Sequence, residues 1–337
     1  MHRFIFFIFI PLFFFSGCGS DEKTNPKPSS SLLTTGGNNP VITKLSQEIK
    51  EHPNDHSILY KRAKIFSQNH DWDAAILDLK NAISMDSLQP SYHHLLADCY
   101  LDNMQSRKAL NEMVETTILF PKRIPSLLKL TEFQVILKQY DGAFKTLERI
   151  LKIDPQNAEA FFMTGVLYED MGKKDKAIKA YQKTVQYNSD ILDAWISLGN
   201  LLAEKKDKNA ERCFDNAIRV DSNNVYAIEA KGSYLANNGH PLESLPFFRK
   251  IIKINPQIAS SYYNIGIAYL KLDSLTQAYN HFGLATKMDN EYIEAYYYKG
   301  YTASLMGNID LAKRHFNQVL KFDPENKAAL KALKELK

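Results

Sequence analysis

Residues 158–191 read AEAFFMTGVLYEDMGKKDKAIKAYQKTVQYNSDI, and this stretch decides the fold. Its first part places Ala160, Phe161, Thr164, Val166, Leu167 and Tyr168 at helical spacing. Gly172 then interrupts, where the end of a helix favours a residue tolerant of positive φ. A second helical run follows. The pattern recurs with a period of 34, in units 56–89, 90–123, 124–157, 158–191, 192–224, 225–258, 259–292 and 293–326, the fifth being one residue short. Position 20 of the units holds Ala75, Ala109, Ala143, Ala177, Ala210, Ser244, Ala278 and Ala312. Position 8 holds Ala63, Ala97, Thr131, Gly165, Gly199, Gly232, Gly266 and Gly300. Small residues at two fixed places imply two closely packed helices per unit. A fixed period of this size implies a stacked array in which each unit buries its apolar face against its neighbours.

Further columns support the same unit. Position 4 is large (Leu59, Leu127, Phe161, Trp195, Ile228, Tyr262, Tyr296), with His93 the departure. Phe66, Tyr100, Tyr168 and Tyr269 are aromatic at position 11. Position 24 reads Leu79, Met113, Leu147, Tyr181, Phe214, Phe248, Phe282 and Phe316, and Pro121, Pro155, Pro256 and Pro324 stand at position 32. These columns resemble the tetratricopeptide repeat, a helix–turn–helix unit, over residues 56–326. The resemblance implies an all-α, right-handed superhelical solenoid of eight repeats. Residues 41–55 read as an N-terminal capping helix. Residues 327–337 read as a C-terminal one, with Ala328, Leu330 and Leu333 expected against the last unit.

The N-terminus suggests a location. After Met1-His2-Arg3 comes an apolar run, Phe4 to Phe15, and then Ser16, Gly17 and Cys18. The run is shorter than the about 20 residues a spanning helix needs and fits a secretion signal better. Small residues before Cys18 resemble a bacterial lipoprotein processing box, although Phe15 departs from its usual leucine. The resemblance implies a signal peptide over 1–17, cleavage, and acylation of Cys18, with palmitate among the lipids. Residues 18–40, rich in Pro, Gly and Ser, then form a flexible tether. Gly19, where an aspartate would signal inner-membrane retention, points to the outer membrane of a Gram-negative bacterium, on its periplasmic or its surface face.

A net charge of +4 is too balanced to suggest nucleic acid as a partner. Cys99 and Cys213, three repeats apart, lie beyond disulfide reach and read as packing thiols. No phosphate loop, GxSxG, HExxH or CxxC occurs. The expectation is a non-enzyme without cofactor or metal, in which His93 is a structural histidine.

In this repeat family the first helices line a concave groove, and positions 2, 5, 9, 12 and 13 point into it. Units two to six place Asp98, Asp102, Glu132, Glu159, Glu169, Asp170, Asp193, Glu204 and Glu229 there, with no lysine or arginine; Phe162 and Asn200 share the wall. A wall of one sign attracts the opposite charge; a solvated helix face would also carry such acids. Units seven and eight offer Tyr263, Tyr297 and Tyr301, either a contact surface or packing between neighbours. Position 5 lacks the lysine of a carboxylate clamp. The expected function is a membrane-anchored interaction scaffold that takes basic or aromatic protein segments. Alternatives are an assembly factor for a secretion, pilus or outer-membrane machine, and an adaptor for an envelope hydrolase.

Overall fold

A computed structural model describes residues 39–336; the expected lipidation site at Cys18 and the expected signal peptide lie outside them. The described residues form eighteen helices and no strand. A leading helix, α1 (Pro40–Glu51), precedes eight helix pairs. These are α2 (His56–Gln68) with α3 (Trp72–Met85), α4 (Pro90–Asp102) with α5 (Ser106–Leu119), α6 (Ile124–Ile136) with α7 (Tyr140–Ile153), and α8 (Ala158–Asp170) with α9 (Lys174–Tyr187). The remaining pairs are α10 (Leu192–Glu204) with α11 (Asn209–Val220), α12 (Val225–Asn237) with α13 (Pro241–Ile254), α14 (Ala259–Lys271) with α15 (Leu275–Met288), and α16 (Ile293–Leu305) with α17 (Ile309–Phe322). A closing helix, α18 (Lys327–Glu335), ends the array. The first helix of every pair begins at the residue where the 34-residue period opens a unit.

Each pair turns through one residue in the left-handed region at position 15 of the unit. That residue is glycine only at Gly172, Gly239 and Gly307; His70, Met104, Lys138, Lys206 and Asp273 adopt φ of 55–62° there. The next backbone N–H reaches back to the first helix, as Asp71 to the Phe66 carbonyl (2.9 Å) and Lys173 to that of Tyr168 (2.7 Å). This is the Schellman closure, and its hydrogen bonds hold side-chain-bearing residues in a costly conformation. Between units, Asp86, Asp154, Asn188, Asp221, Asn255 and Asp289 accept the backbone N–H two residues on, at 2.9–3.2 Å. These side-chain turns set the link between units more generally than the prolines do.

Positions 8 and 24 meet inside each unit. A Cβ built on Gly165 would lie 2.5 Å from the Tyr181 ring, on Gly199 2.7 Å from Phe214, and on Gly266 2.7 Å from Phe282. Gly232 with Phe248 and Gly300 with Phe316 repeat the fit at 2.9 and 3.0 Å. In the first three units Ala63, Ala97 and Thr131 instead stand with Leu79, Met113 and Leu147, all fully or nearly fully buried. A larger residue at position 8 thus accompanies a smaller one at position 24, as a close-packed interior requires.

At the N-terminal end Arg62 grips Asp78 through two bonds of 2.7 Å and reaches Ser46 of α1 at 2.8 Å. The leading helix is thereby tied to the first unit. It starts at Pro40, one residue before the expected cap, because proline suits the first helical position. The expected face of α18 needs correction. Ala328 and Leu330 are exposed. Ala329 is buried, with Ala332, Leu333 and Leu336 packed beside it at i, i+3, i+4 and i+7. His93 is buried as expected, its Nδ1 2.6 Å from a Glu112 carboxylate oxygen and its Nε2 2.9 Å from the Ser87 carbonyl. Two acceptors call for two N–H groups, so the ring is held as an imidazolium, and the bond to Glu112 raises its pKa above the ordinary histidine value. Cys99 and Cys213 are free and buried, and burial pushes both thiols up to about 11.

Candidate partner-binding groove

First helices of neighbouring units touch each other, as α2 with α4, α6 with α8 and α10 with α12, whereas second helices meet chiefly the first helices of their own and the next unit. The first-helix row therefore lies on the inside of the curve. Its exposed side chains form the groove wall.

The acids on that wall are less free than their spacing suggests. Lys129 of α6 lies 2.6 Å from Asp98 and 3.7 Å from Glu132. It stands at position 6, just outside the columns taken as groove-facing. Desolvation in this recess raises the Asp98 pKa, and Lys129 opposes the rise. Beside them His94 bonds Ser126 Oγ at 2.9 Å, and burial followed by the nearby Lys129 lowers its pKa to about 4. The Tyr140 hydroxyl donates to Asp170, and that of Tyr181 to Glu169 at 2.7 Å. Lys174 pairs with Glu204, and Lys205 with Asp175, along one edge of the groove. Asp102 and Glu159 also interact with neighbours. The uniformly acidic wall of the sequence is thus a partly neutralised one, because bases at positions 6 and 17 reach across unit boundaries to its acids.

Phe162 is buried at 6% exposure against Tyr181, with ring centroids 5.7 Å apart, so it belongs to the core and not to the groove surface. Asn200 is exposed on α10. Glu229 of α12 accepts from Asn264 of α14 at 3.1 Å.

Tyrosines fill the far end. Tyr263 lies 5.2 Å from Tyr292, 5.8 Å from Tyr298 and 5.7 Å from Phe282, measured between ring centroids. Tyr297 contacts Tyr298 and Phe316 at 5.5 Å, and Tyr298 reaches Tyr301 at 6.4 Å. The rings both pack between units and present a surface: Tyr263 and Tyr297 are half-buried, while Tyr301 is 40% and Leu305 48% exposed. Burial raises the Tyr263 and Tyr297 phenols above their ordinary value. Tyr298, Asn264 and Lys129 were missed for one reason, since all three occupy position 6. Among the described residues no group of histidine, cysteine and carboxylate side chains could hold a metal, and no helix is long and apolar enough to cross a membrane.

Comparison with known proteins agrees with the architecture. Residues 146–179, 259–292 and 293–326 match family profiles described as "Tetratricopeptide repeat". The last two matches coincide with units seven and eight; the first straddles units three and four. A Dictyostelium discoideum protein, "DnaJ homolog subfamily C member 7 homolog", is 24% identical over 265 residues, covering 78% of this chain and 45% of the relative. "Tetratricopeptide repeat protein 6" of Homo sapiens is 26% identical, covering 58% of this chain and 38% of its own length. The chain spans less than half the length of both relatives. Among solved structures, "Crystal structure of APC/C hetero-tetramer Cut9-Hcn1" superposes with a TM-score of 0.54 at 15% identity, covering 88% of this chain and 58% of that one. "Functional Characterization of Pseudomonas Aeruginosa pilF" gives 0.52 at 17% identity, covering 63% and 96%. Period, helix pairing and the two superpositions agree on one fold, a stacked array of helix pairs, and residues 146–179, 259–292 and 293–326 of it match tetratricopeptide-repeat profiles.

Proposed function

We propose that this chain is an interaction scaffold that takes a segment of a protein partner along its first-helix groove, and that a lipid on Cys18 anchors it in the envelope of a Gram-negative bacterium, at the outer membrane. The observation that carries the scaffold reading is the division between the two helix rows. Second helices supply the position-24 side chains that fill each unit, while first helices leave Asn200, Tyr301 and Leu305 exposed on an open concave wall. Rigid helices presenting polar and tyrosine side chains on one concave face favour an extended or helical segment as ligand. The anchor rests on the run from Phe4 to Cys18 and the polar stretch after it.

Crosslinking in isolated membranes, followed by mass spectrometry, tests both parts. The native chain is compared with an Asn200→Arg, Tyr301→Asp variant and with Cys18→Ser. A defined envelope protein captured by the native chain and lost from the groove variant supports the scaffold reading. Equal capture by both excludes the groove. Cys18→Ser is expected to lose labelled palmitate and leave the membrane fraction; a variant that stays membrane-bound and labelled contradicts the anchor.

A further inference from the structure

We propose that the recess between units seven and eight, lined by Lys299, Tyr279, Gly283 and His315, binds a carboxylate that comes from outside this chain. The site shares no column with the groove and does not rest on the groove reading.

Position 7 of the first helix carries a base in three of the eight units: Arg62, Lys231 and Lys299. Two of the three have carboxylate partners. Arg62 takes both oxygens of Asp78, at position 23 of its own unit. It also reaches Ser46 of α1, which stands where position 25 of a preceding unit would fall. Lys231 lies 2.8 Å from Glu211 and 2.9 Å from Asp215, at positions 21 and 25 of the preceding unit. A base at position 7 is therefore met from positions 21 and 25 of the unit before it and from position 23 of its own.

Lys299 meets the same columns, and none holds an acid. Position 21 is Tyr279, whose ring centroid lies 5.2 Å from the Lys299 Nζ. Position 25 is Gly283, and a Cβ built there would lie 3.3 Å from that Nζ. Position 23 is His315, whose Nε2 is 3.0 Å from the Tyr279 hydroxyl. Tyr279 and His315 thus satisfy each other. The histidine is no substitute for a counter-ion, since burial, then Lys299 and Arg314, push its pKa down to about 4.

Lys299 is set apart from the other desolvated lysines. Burial acts on Lys129 and Lys231 as well, yet two carboxylates beside each raise their pKa above the ordinary value. Among the described residues Lys299 has no ion pair, and burial alone lowers its pKa. A desolvated ammonium without a counter-charge costs free energy that a carboxylate would offset. Gly283 leaves room for one, at the place where Asp215 supplies it to Lys231. All four lining residues are half-buried, so the recess is not sealed from solvent. One ammonium balances one carboxylate and leaves a phosphate dianion half-compensated.

The test uses pools of short peptides blocked at both ends, with uncharged random residues around a central glutamate, glutamine or phosphoserine. They are passed over the immobilised full chain. The native chain is expected to retain the glutamate pool about tenfold better than the glutamine pool, the size of one charge-assisted contact. Lys299→Gln should bring the two pools level. Gly283→Asp should do the same, because it supplies from within the carboxylate that Asp215 gives Lys231. Equal retention of glutamate and glutamine pools by the native chain, or retention of neither, overturns the site. So does a preference that survives both variants, which would assign it to other basic residues. A phosphoserine pool held better than the glutamate pool overturns the choice of carboxylate. Excess acetate identifies the source: displacement of the glutamate pool means that a free carboxylate suffices, and persistence that the peptide around it contributes, the site standing in both cases. The comparison of pools on the native chain does not depend on how any variant folds.

Discussion

The first three units and the last five solve the same packing problem with different chemistry. In units four to eight a glycine on the first helix admits an aromatic ring from the second, and adding one carbon at Gly165, Gly199 or Gly266 would bring it within 2.7 Å of that ring. In units one to three alanine or threonine faces leucine or methionine, and the helices carry buried polar ties as well: Arg62 with Asp78, and His93 with Glu112. Lys231, at 6% side-chain exposure between Glu211 and Asp215, is the comparable tie in the later units. A repeat is therefore a shape to be filled, and two small-to-large combinations fill it equally. The polar ties add registry to the end of the array that must hold a lone leading helix.

The largest expected effect breaks a polar tie. Asp78→Ala leaves Arg62 nearly buried without its partner and should cost about 3–5 kcal/mol. Amide hydrogen exchange should show the loss concentrated in residues 40–85, since each unit supports chiefly its neighbours. Uniform loosening of the whole array would contradict that.

Next comes the exchange of packing chemistries. Gly266→Ala alone should cost about 1–3 kcal/mol through overpacking against Phe282. Adding Phe282→Leu recreates the alanine–leucine pair of the first unit and should recover part of the loss, giving a coupling measurable in a double-mutant cycle. Additive losses would mean that the two positions do not share one space.

The pH dependence of the two ends should also differ. The folded pKa of His93 is raised, so its contribution is fully present below about 6.5, the unfolded value, and fades as pH rises through the folded one. His94 and His315 are lowered to about 4, by burial first, so they weaken the fold as pH falls from about 6.5 toward that value. Unit two should therefore loosen on both sides and unit eight only on the acid side, as hydrogen exchange across the pH range can check. His93→Gln should remove the alkaline arm.

The smallest effect concerns the turns. Lys206→Gly relieves a φ of 56° and should stabilise by about 0.5–1 kcal/mol, whereas Gly239→Ala, at φ 88°, should destabilise by a similar amount. Thermal melts of the two variants suffice.

Most of the fold was legible because a period repeats its own evidence: a helix start doubtful in one unit is certain when eight agree. The turn residues were only partly legible. Glycine marks position 15 at Gly172, Gly239 and Gly307, but backbone closure forces His70 or Lys206 into the same conformation without a sequence signal. The last helix misled because a nine-residue segment supports more than one apolar face, and only contact with α17 selects Ala329 over Ala328. The groove was least legible. Each column describes one helix, while the state of an acid depends on what crosses from the next unit, as Lys129 reaches Asp98 and Lys174 reaches Glu204.

The central claim, that the first-helix row meets the partner and the second-helix row does not, can be tested by placing a photocrosslinking amino acid at Asn200 on α10 or at Arg212 on α11, both exposed. After illumination in cells, a discrete crosslinked protein from Asn200 and none from Arg212 is the predicted result. The same product from Arg212, with none from Asn200, would contradict it.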